Sequence, residues 1–198
     1  GNLHVNSDTH QITLDHDLGS GWRTRLGASY RETELYGNAV DFGTGQLGVL
    51  CNDGRTLARS DSWRSLPARD TSVQAEVEGK LQTGGLRHTV LAGVESWRLF
   101  MGQDIRYSTL ASQPFAIDIH TPTYGQAPGN LTPGFDTRDR QRATGLFVQD
   151  QMDLSERWKL LAGVRFDRYH QDYENRLNRA VQTQSHSAAT PRVGVTYL

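Results

Sequence analysis

Three groups of residues in this sequence have types and spacings that suit chemistry, and the first is a glycine-rich motif. Residues 43–48 read Gly-Thr-Gly-Gln-Leu-Gly and match GxGxxG. A dinucleotide site of this kind requires a buried strand before the motif and a helix after it. Here the motif runs into Val-Leu-Cys-Asn-Asp-Gly, which is typical of a turn. The sequence therefore argues against a nucleotide site.

The second group consists of acidic residues with histidine nearby, which suit metal binding or acid–base catalysis. Residues 15–17 read Asp-His-Asp, and four more aspartates occur at positions 136, 139, 150 and 153. In a strand, Asp15 and Asp17 lie on one face and His16 lies on the other, so the three do not chelate one ion together. The single Cys51 excludes an internal disulfide framework and a multi-cysteine metal site. We therefore predict no catalytic residues and no metal ligands.

The third group is a set of aromatic side chains in polar stretches and near predicted strand ends, where they suit either a ligand pocket or a membrane-interface girdle. For Trp97 and Tyr169 the girdle is the favoured interpretation, and for the loop tyrosines both remain open. The predicted ligand-binding set is Tyr36, Trp97, Phe100, Tyr107, Phe115, Tyr124 and Tyr169, and Phe42 shares its properties.

The elements that must position these residues are strands, and residues 144–167 give the clearest example. The second half of this stretch places Trp158, Leu160, Ala162, Val164 and Phe166 on one face, with polar or small residues between them. A period of two indicates a strand and not a helix. An aromatic residue at each end of the apolar face is typical of a strand that faces lipid. The stretch predicts a hairpin with its turn near residues 154–157.

The remainder of the chain repeats this pattern. Further strands are predicted at 9–17, from Trp22 to about Tyr36, at 69–81, 86–100 and 189–198, which gives seven in total. Pro67 lacks a backbone donor, so regular pairing in the third strand is expected to begin after it. Short turns at 18–21 and 82–85 contrast with long polar loops at 37–62, 101–137 and 169–185.

Short turns at one end and long loops at the other predict an all-β, antiparallel, up-and-down transmembrane β-barrel. Bacterial barrels have an even number of strands and at least eight. An open sheet edge in lipid is also costly, because each unpaired backbone group costs several kcal/mol. We therefore expect residues 1–198 to form one part of a larger barrel domain.

Composition agrees with this class. The mean hydropathy is -0.60 and the longest apolar runs, such as residues 90–94, reach five residues, whereas a membrane-spanning helix needs about 20. A formal net charge of -1 gives no reason to expect nucleic acid as a partner. Only Lys80 and Lys159 among the 21 basic residues are lysine. Arginine suits ion-pair ladders and anionic ligands, and genome base composition is an equally good explanation of this bias.

Four stretches resemble the barrel of TonB-dependent siderophore receptors, most closely the ferrichrome and hydroxamate group. They are residues 81–98, 115–128, 144–169 and 190–198, and the third contains TGL-x-x-QDQ followed by a W-x-x-x-x-G-x-R-x-D strand. The resemblance implies a barrel of about 22 strands in the outer membrane of a Gram-negative bacterium, filled by a plug domain that this sequence lacks. It implies a receptor and transporter, not an enzyme.

The partners that the resemblance implies are a ferric siderophore, the TonB complex through a region N-terminal to the plug, the plug itself and outer-membrane lipid. Iron would arrive as the ferric siderophore, so no cofactor and no iron ligand from the protein are expected. The loops at 37–62, 101–137 and 169–185 would contact the ligand. The lumen arginines would pair with acids or face the plug; they are Arg23, Arg25, Arg165 and Arg192, with Glu76, Glu78, Glu95 and Asp167 as acids.

A soluble antiparallel β-barrel or sandwich that binds a small ligand is the alternative. It makes one prediction that separates it from the membrane barrel. Under this alternative, a set of apolar side chains is buried in a protein core: Trp22, Leu26, Val77, Leu160 and Val164.

Overall fold

The computed structural model describes residues 1–42, 53–108, 115–127 and 129–198, with the side chains of residues 41 and 42 left out. Seven long strands form one antiparallel sheet in which every strand pairs with its neighbours in chain order. They are β1 (Asn2–Gly19), β2 (Trp22–Phe42), β4 (Arg59–Thr83), β5 (Leu86–Ser108), β7 (Leu131–Asp153), β8 (Trp158–Asn175) and β9 (Ala180–Tyr197). Two short strands, β3 (Thr56–Leu57) and β6 (Ile117–Asp118), pair with each other in the outer loops. The described residues contain no helix that could cross a membrane.

The two faces of the sheet differ in chemistry because the strands pair in register. One row of partners consists of Leu14, Leu26, Ala75, Val94, Leu146 and Phe166, and we call the face that carries it the outer face. The adjacent row on the opposite face contains Arg25, Glu76, Phe147 and Arg165, and we call that face the inner face. The seven predicted strands, their antiparallel order and their alternating phase are confirmed.

The outer face has no protein layer over it. None of the five apolar residues that the soluble alternative places in a core is buried, and Leu26 is 44% exposed. In the described part of the chain, the buried apolar side chains are Ile105 and Phe115 alone. A soluble sandwich or barrel requires this face to be packed, so the alternative is wrong.

The tight turns lie where the sequence predicts them. Gly19, Ser20 and Gly21 all have positive φ, as do Gly84 and Gly85 in the second turn. The two-residue turns are Ser20-Gly21 and Gly84-Gly85, and a tight hairpin turn of this kind requires positive φ at both positions. Glycine adopts this left-handed conformation without a steric penalty. Trp158 and Tyr197 pack against each other beside the third turn, with ring centroids 5.0 Å apart.

The strand ends away from the turns extend much further than predicted. β1 begins at Asn2, β2 continues to Phe42 and β5 continues to Ser108. The predicted third long loop at 169–185 is wrong, because β8 and β9 pair from Asn175 and Ala180 onward and a turn at 176–179 joins them. These extensions are mostly polar and lack a regular apolar face, so hydropathy alone does not separate them from loops.

Pro67 lies inside β4, not before it. The residue pairs with Glu34 of β2, while the ladder to β5 is interrupted between Ser65 and Ala68. A Cβ added at Gly102 of β5 would lie 2.9 Å from the Pro67 ring, so the glycine provides the space that the ring occupies. The expectation that pairing starts after Pro67 is wrong, because only one of the two ladders is affected.

Candidate ligand-binding surface

An ion-pair group occupies the middle of the inner face. Arg23 Nη2 lies 2.9 Å from Glu78 Oε2, and Arg25 Nε lies 2.7 Å from Asp15 Oδ1. Arg165 pairs with both Glu95 and Asp167, the latter at 2.8 Å. The predicted pairing of the inner arginines with acids is therefore seen for Arg23 and Arg165.

One of the predicted arginine pairings differs from the structure. Arg25 pairs with Asp15 of β1 and not with Glu76, although Glu76 is its register partner on β4. Arg192 makes no ion pair with any residue that the structure describes. It lies beside Arg165 and Glu76 along one inner cavity of about 490 Å³.

A hydrogen-bonded network lies on the inner face toward the long-loop end. Asp139 accepts hydrogen bonds from Gln141 Nε2 at 2.9 Å and from Gln171 Nε2 at 2.8 and 2.9 Å. Gln171 Oε1 in turn accepts from the Tyr169 hydroxyl at 3.0 Å and from the amide of Gln184. The network joins β7, β8 and β9 and presents a carboxylate, amides and a phenol side by side.

Trp97 and Tyr169 are brought together next to this network. Their ring centroids lie 6.2 Å apart with an angle of 50° between the planes, although Trp97 is on β5 and Tyr169 on β8. Ala143 of β7 lies between them in register, and its small side chain leaves room for the two rings to meet. Both rings face inward, so their assignment to an interface girdle is wrong.

The other predicted ligand-binding aromatics do not join this pair. Tyr36 and Phe100 lie on the outer face, where Tyr36 stacks on His4 at 5.2 Å and Arg140 lies 5.9 Å from the Phe100 ring centre. Tyr124 is 74% exposed in the second outer loop. Phe42 has no described side chain, and neither Cys51 nor the GxGxxG motif at 43–48 lies within the described residues.

Phe115 and Tyr107 belong to the outer loop end of the sheet. Arg59 donates through Nε to the Phe115 carbonyl at 2.8 Å, and its guanidinium lies 4.5 Å from the ring centre. Phe115 is buried, whereas Tyr107 lies on β5 against Gly134. No feature of the sequence distinguishes Phe115 or Tyr107 from the other loop aromatics.

The two long outer loops are tied to each other. Thr56 and Leu57 of β3 pair with Asp118 and Ile117 of β6, and Arg55 Nη2 lies 2.6 Å from Asp118 Oδ2. The backbone N–H groups of His120 and Thr121 also donate to Asp118, and these bonds together with Arg55 lower its pKa to about 2. These contacts join the described residues 55–57 of one loop to residues 117–121 of the other.

The acidic residues singled out in the sequence do not assemble into a metal site. Within the part of the chain that the structure describes, no three histidine, cysteine, aspartate or glutamate side chains are placed to hold an ion. His88 Nδ1 lies 2.7 Å from Asp150 Oδ2, and both side chains are on the outer face. This pair places an imidazole within hydrogen-bond distance of a carboxylate on the outer face, and with the other described residues it does not form a metal site.

Comparison with known proteins identifies the family. The model for "TonB dependent receptor-like, beta-barrel" matches residues 1–198. The metal-pseudopaline receptor CntO of Pseudomonas aeruginosa is 38% identical over all of this chain and 28% of the relative. The ferrioxamine B receptor of Salmonella typhimurium is 25% identical over 93% of the chain and 25% of the relative.

A solved structure agrees in fold. The ferric citrate transporter FecA, in its unliganded form, superposes with a TM-score of 0.76 at 16% identity, covering 99% of this chain and 25% of that one. This chain spans only about a quarter of the length of these relatives. The members of the matched family are barrels of the Gram-negative outer membrane and are not enzymes, and this chain belongs to the TonB-dependent receptor β-barrel family.

Proposed function

We propose that this segment forms part of the wall of an outer-membrane receptor that imports a metal bound to a small organic chelator, with a ferric siderophore as the expected cargo. The inner-face network supports the proposal most strongly, because a carboxylate, three amides and two aromatic rings converge at the loop end. Ligand sites of this kind combine aromatic surface with a few fixed polar groups. The TonB complex and a plug domain are the partners that this function requires.

The ligand-contacting residues that we propose are fewer than the sequence alone gives. Trp97 and Tyr169 supply aromatic surface, while Gln171 and Gln184 supply amide groups on the same face. Tyr36 and Phe100 are omitted because they face outward. The metal is cargo and stays bound to its chelator, so the protein needs no metal ligand of its own.

A second candidate cargo has one observation in its favour. Identity to the metal-pseudopaline receptor is 38%, against 25% and 24% for the ferrioxamine B and ferrichrome receptors. A metal-pseudopaline chelate is therefore the alternative within the same class of transport.

Uptake assays in cells test both proposals. The full-length receptor would be expressed in a strain without competing receptors and supplied with radiolabelled metal bound to ferrioxamine B, ferrichrome or pseudopaline. We expect uptake of one chelate that stops when the TonB complex is deleted. Uptake of none of the chelates, or uptake that persists without TonB, would contradict the proposal.

The aromatic assignments have matched controls within the same chain. We expect Trp97→Ala and Tyr169→Ala to reduce uptake at low ligand concentration. Tyr36→Ala and Phe100→Ala remove rings of similar size from the outer face and should leave uptake unchanged. A reduction that is equal for both pairs would show that inner-face placement does not determine ligand contact.

A further inference from the structure

One carboxylate on the inner face forms no ion pair with any residue that the structure describes. Asp139 of β7 is half-buried, and it accepts hydrogen bonds from Gln141 Nε2 at 2.9 Å and from Gln171 Nε2 at 2.8 and 2.9 Å. Both donors are neutral amides. The hydrogen bonds therefore hold the carboxylate in place without cancelling its negative charge.

The inner wall around Asp139 contains no basic residue other than histidine. The row of Glu95, Gly145 and Asp167 marks its lower boundary, and the wall consists of the inner positions of β5, β7, β8 and β9 between this row and the long loops. In the described strands these positions hold amides, hydroxyls, an imidazole, apolar and aromatic side chains, and Asp139 as the one acid. Neither lysine nor arginine is among them.

This lack of cations is specific to the inner face. The same stretches of β5, β7 and β8 contain six arginines, and strand alternation places every one of them on the outer face. They are Arg98, Arg106, Arg138, Arg140, Arg142 and Arg168. A ligand on the inner face therefore meets none of these guanidinium groups.

The inner arginines of the two neighbouring strands lie beside partners of their own. Arg31 of β2 is the register partner of Asp70 of β4, which places opposite charges next to each other. Arg64 of β4 donates to Ser62 Oγ at 2.7 Å. The loop end of β5 to β9 thus presents a wall whose formal charge comes from Asp139.

The surroundings of Asp139 suit an organic cation. Its register partners are Met101 of β5 and Tyr173 of β8, so an apolar side chain and an aromatic ring flank the carboxylate. An ammonium group is attracted both by a carboxylate and by the face of a ring. Asp139 lies four residues along β7 from Ala143, where Trp97 and Tyr169 meet, which is about 13 Å. A chelate that contacts both places must carry its cation on an extended arm.

We propose that Asp139 selects a metal chelate that has no net negative charge and carries a primary ammonium group on an arm. The ammonium pairs with Asp139 while the chelate core packs against Trp97 and Tyr169. Anionic chelates are disfavoured, because this wall offers no lysine or arginine to pair with their charge. The inference rests on the proposed function, since it requires a chelate on this inner face.

Ferrioxamine B and its N-acetyl derivative are the matched probes. Both hold iron(III) in the same neutral trihydroxamate core, but the arm of ferrioxamine B ends in an ammonium group and that of the derivative in an uncharged amide. Titrations at neutral pH measure their binding to the full-length receptor in detergent. We expect ferrioxamine B to bind about tenfold more tightly, because it gains one charge-assisted hydrogen bond. The N-succinyl derivative, whose arm ends in a carboxylate, should bind more weakly than either.

Substitutions on β7 assign this preference to one residue. Asp139→Asn removes the charge and keeps the shape, so the preference for ferrioxamine B should disappear, whereas Asp139→Glu should retain it. Asp136→Asn is the control, because Asp136 lies on the outer face of the same strand and pairs with Arg176 at 3.2 Å. It should leave the preference unchanged. The preference is a ratio measured on one preparation, so a lower yield of folded receptor does not alter it.

The outcomes separate this inference from the proposed function. Equal binding of the two probes by the unchanged receptor would overturn the inference, as would a preference that persists in Asp139→Asn. Failure to bind any of the three ferrioxamines, in a receptor that imports another chelate, would overturn the inference and leave the proposed function intact. A receptor that imports no metal chelate at all would contradict the proposed function itself.

Discussion

Arg165 of β8 reaches Glu95 of β5 across the full width of β7, although the two strands are not neighbours in the sheet. Gly145 of β7 is the register partner of both Glu95 and Asp167, so it lies beneath the guanidinium that crosses it. A Cβ at this position would overlap the Arg165 guanidinium. The ion pair between Arg165 and Glu95 therefore depends on glycine at position 145.

The first prediction concerns this crossing. Gly145→Ala should displace Arg165 from Glu95 and lower the free energy of unfolding by about 1 kcal/mol, since half-exposed ion pairs contribute at most about that much. Gly194→Ala is the control, because the nearest atom to its added Cβ is 3.9 Å away. Denaturant unfolding of the full-length receptor in lipid measures both. Equal effects of the two substitutions would show that Arg165 does not need the space above Gly145.

The second prediction concerns lipid exposure. Val164→Arg places a charge near the middle of the apolar outer face and should destabilise the receptor by about 2–4 kcal/mol. Leu161→Arg on the inner face should cost less, because a charge there does not meet lipid. Gly163 is a poor control, since an added Cβ would lie 2.9 Å from the Val148 carbonyl oxygen. Small and equal costs at positions 164 and 161 would mean that the assigned faces are wrong.

How much of this fold the sequence predicts depends on where each strand lies relative to lipid. Along β8, apolar residues at even positions from 158 to 166 predict which side chains face outward. The reason is that side chains in contact with lipid must be apolar, whereas those on the other face need not be. Beyond Phe166 both faces meet water, and the same strand continues to Asn175 without any change that the sequence marks. Backbone hydrogen bonds between the strands hold these extensions together. Because such bonds do not depend on side-chain type, they produce no hydropathy pattern in the sequence.

The inner-face contacts were harder to predict for a different reason. Trp97 meets Tyr169 over Ala143, and Arg165 meets Glu95 over Gly145, so each contact skips one strand. Such contacts require the register of three strands at once, together with a small residue in the middle. The sequence does contain the small residues of β7 over which these contacts form. Their importance cannot be recognised until the register of the three strands is known.

The third prediction concerns pH and the outer loops. Because Asp118 has a pKa of about 2 in the folded protein, below the ordinary value near 4, its ionised form stabilises the contact between β3 and β6. This contribution is fully present above pH of about 4 and is lost as the pH falls toward 2.

Hydrogen exchange of the Ile119 N–H, which donates to the Arg55 carbonyl at 2.9 Å, reports on that contact. Its protection factor should be constant above pH of about 4 and should decrease below it. Asp118→Asn should remove most of this pH dependence. If protection decreases as much in Asp118→Asn as in the unchanged protein, a group other than Asp118 causes the pH dependence.

The fourth prediction concerns the inner network. Gln171→Ala removes the amide that bridges Asp139 to Tyr169 and Gln184, so we expect about a tenfold rise in the ligand concentration needed for half-maximal uptake. Gln149→Ala, on the same face of β7 but nearer the turns, should have no effect. An unchanged half-maximal concentration in Gln171→Ala would exclude the network from ligand binding.

The measurement that tests the central claim most directly is a spin-label scan of residues 158–166 in the full-length receptor in lipid bilayers, with Cys51 replaced by serine. If β8 is a wall strand of an outer-membrane barrel, labels at even positions should collide with oxygen dissolved in the lipid. Labels at odd positions should face the polar interior and show little oxygen contact, which gives a period of two residues. Uniformly low contact at all positions, or the opposite phase, would contradict the assignment of the outer face to lipid.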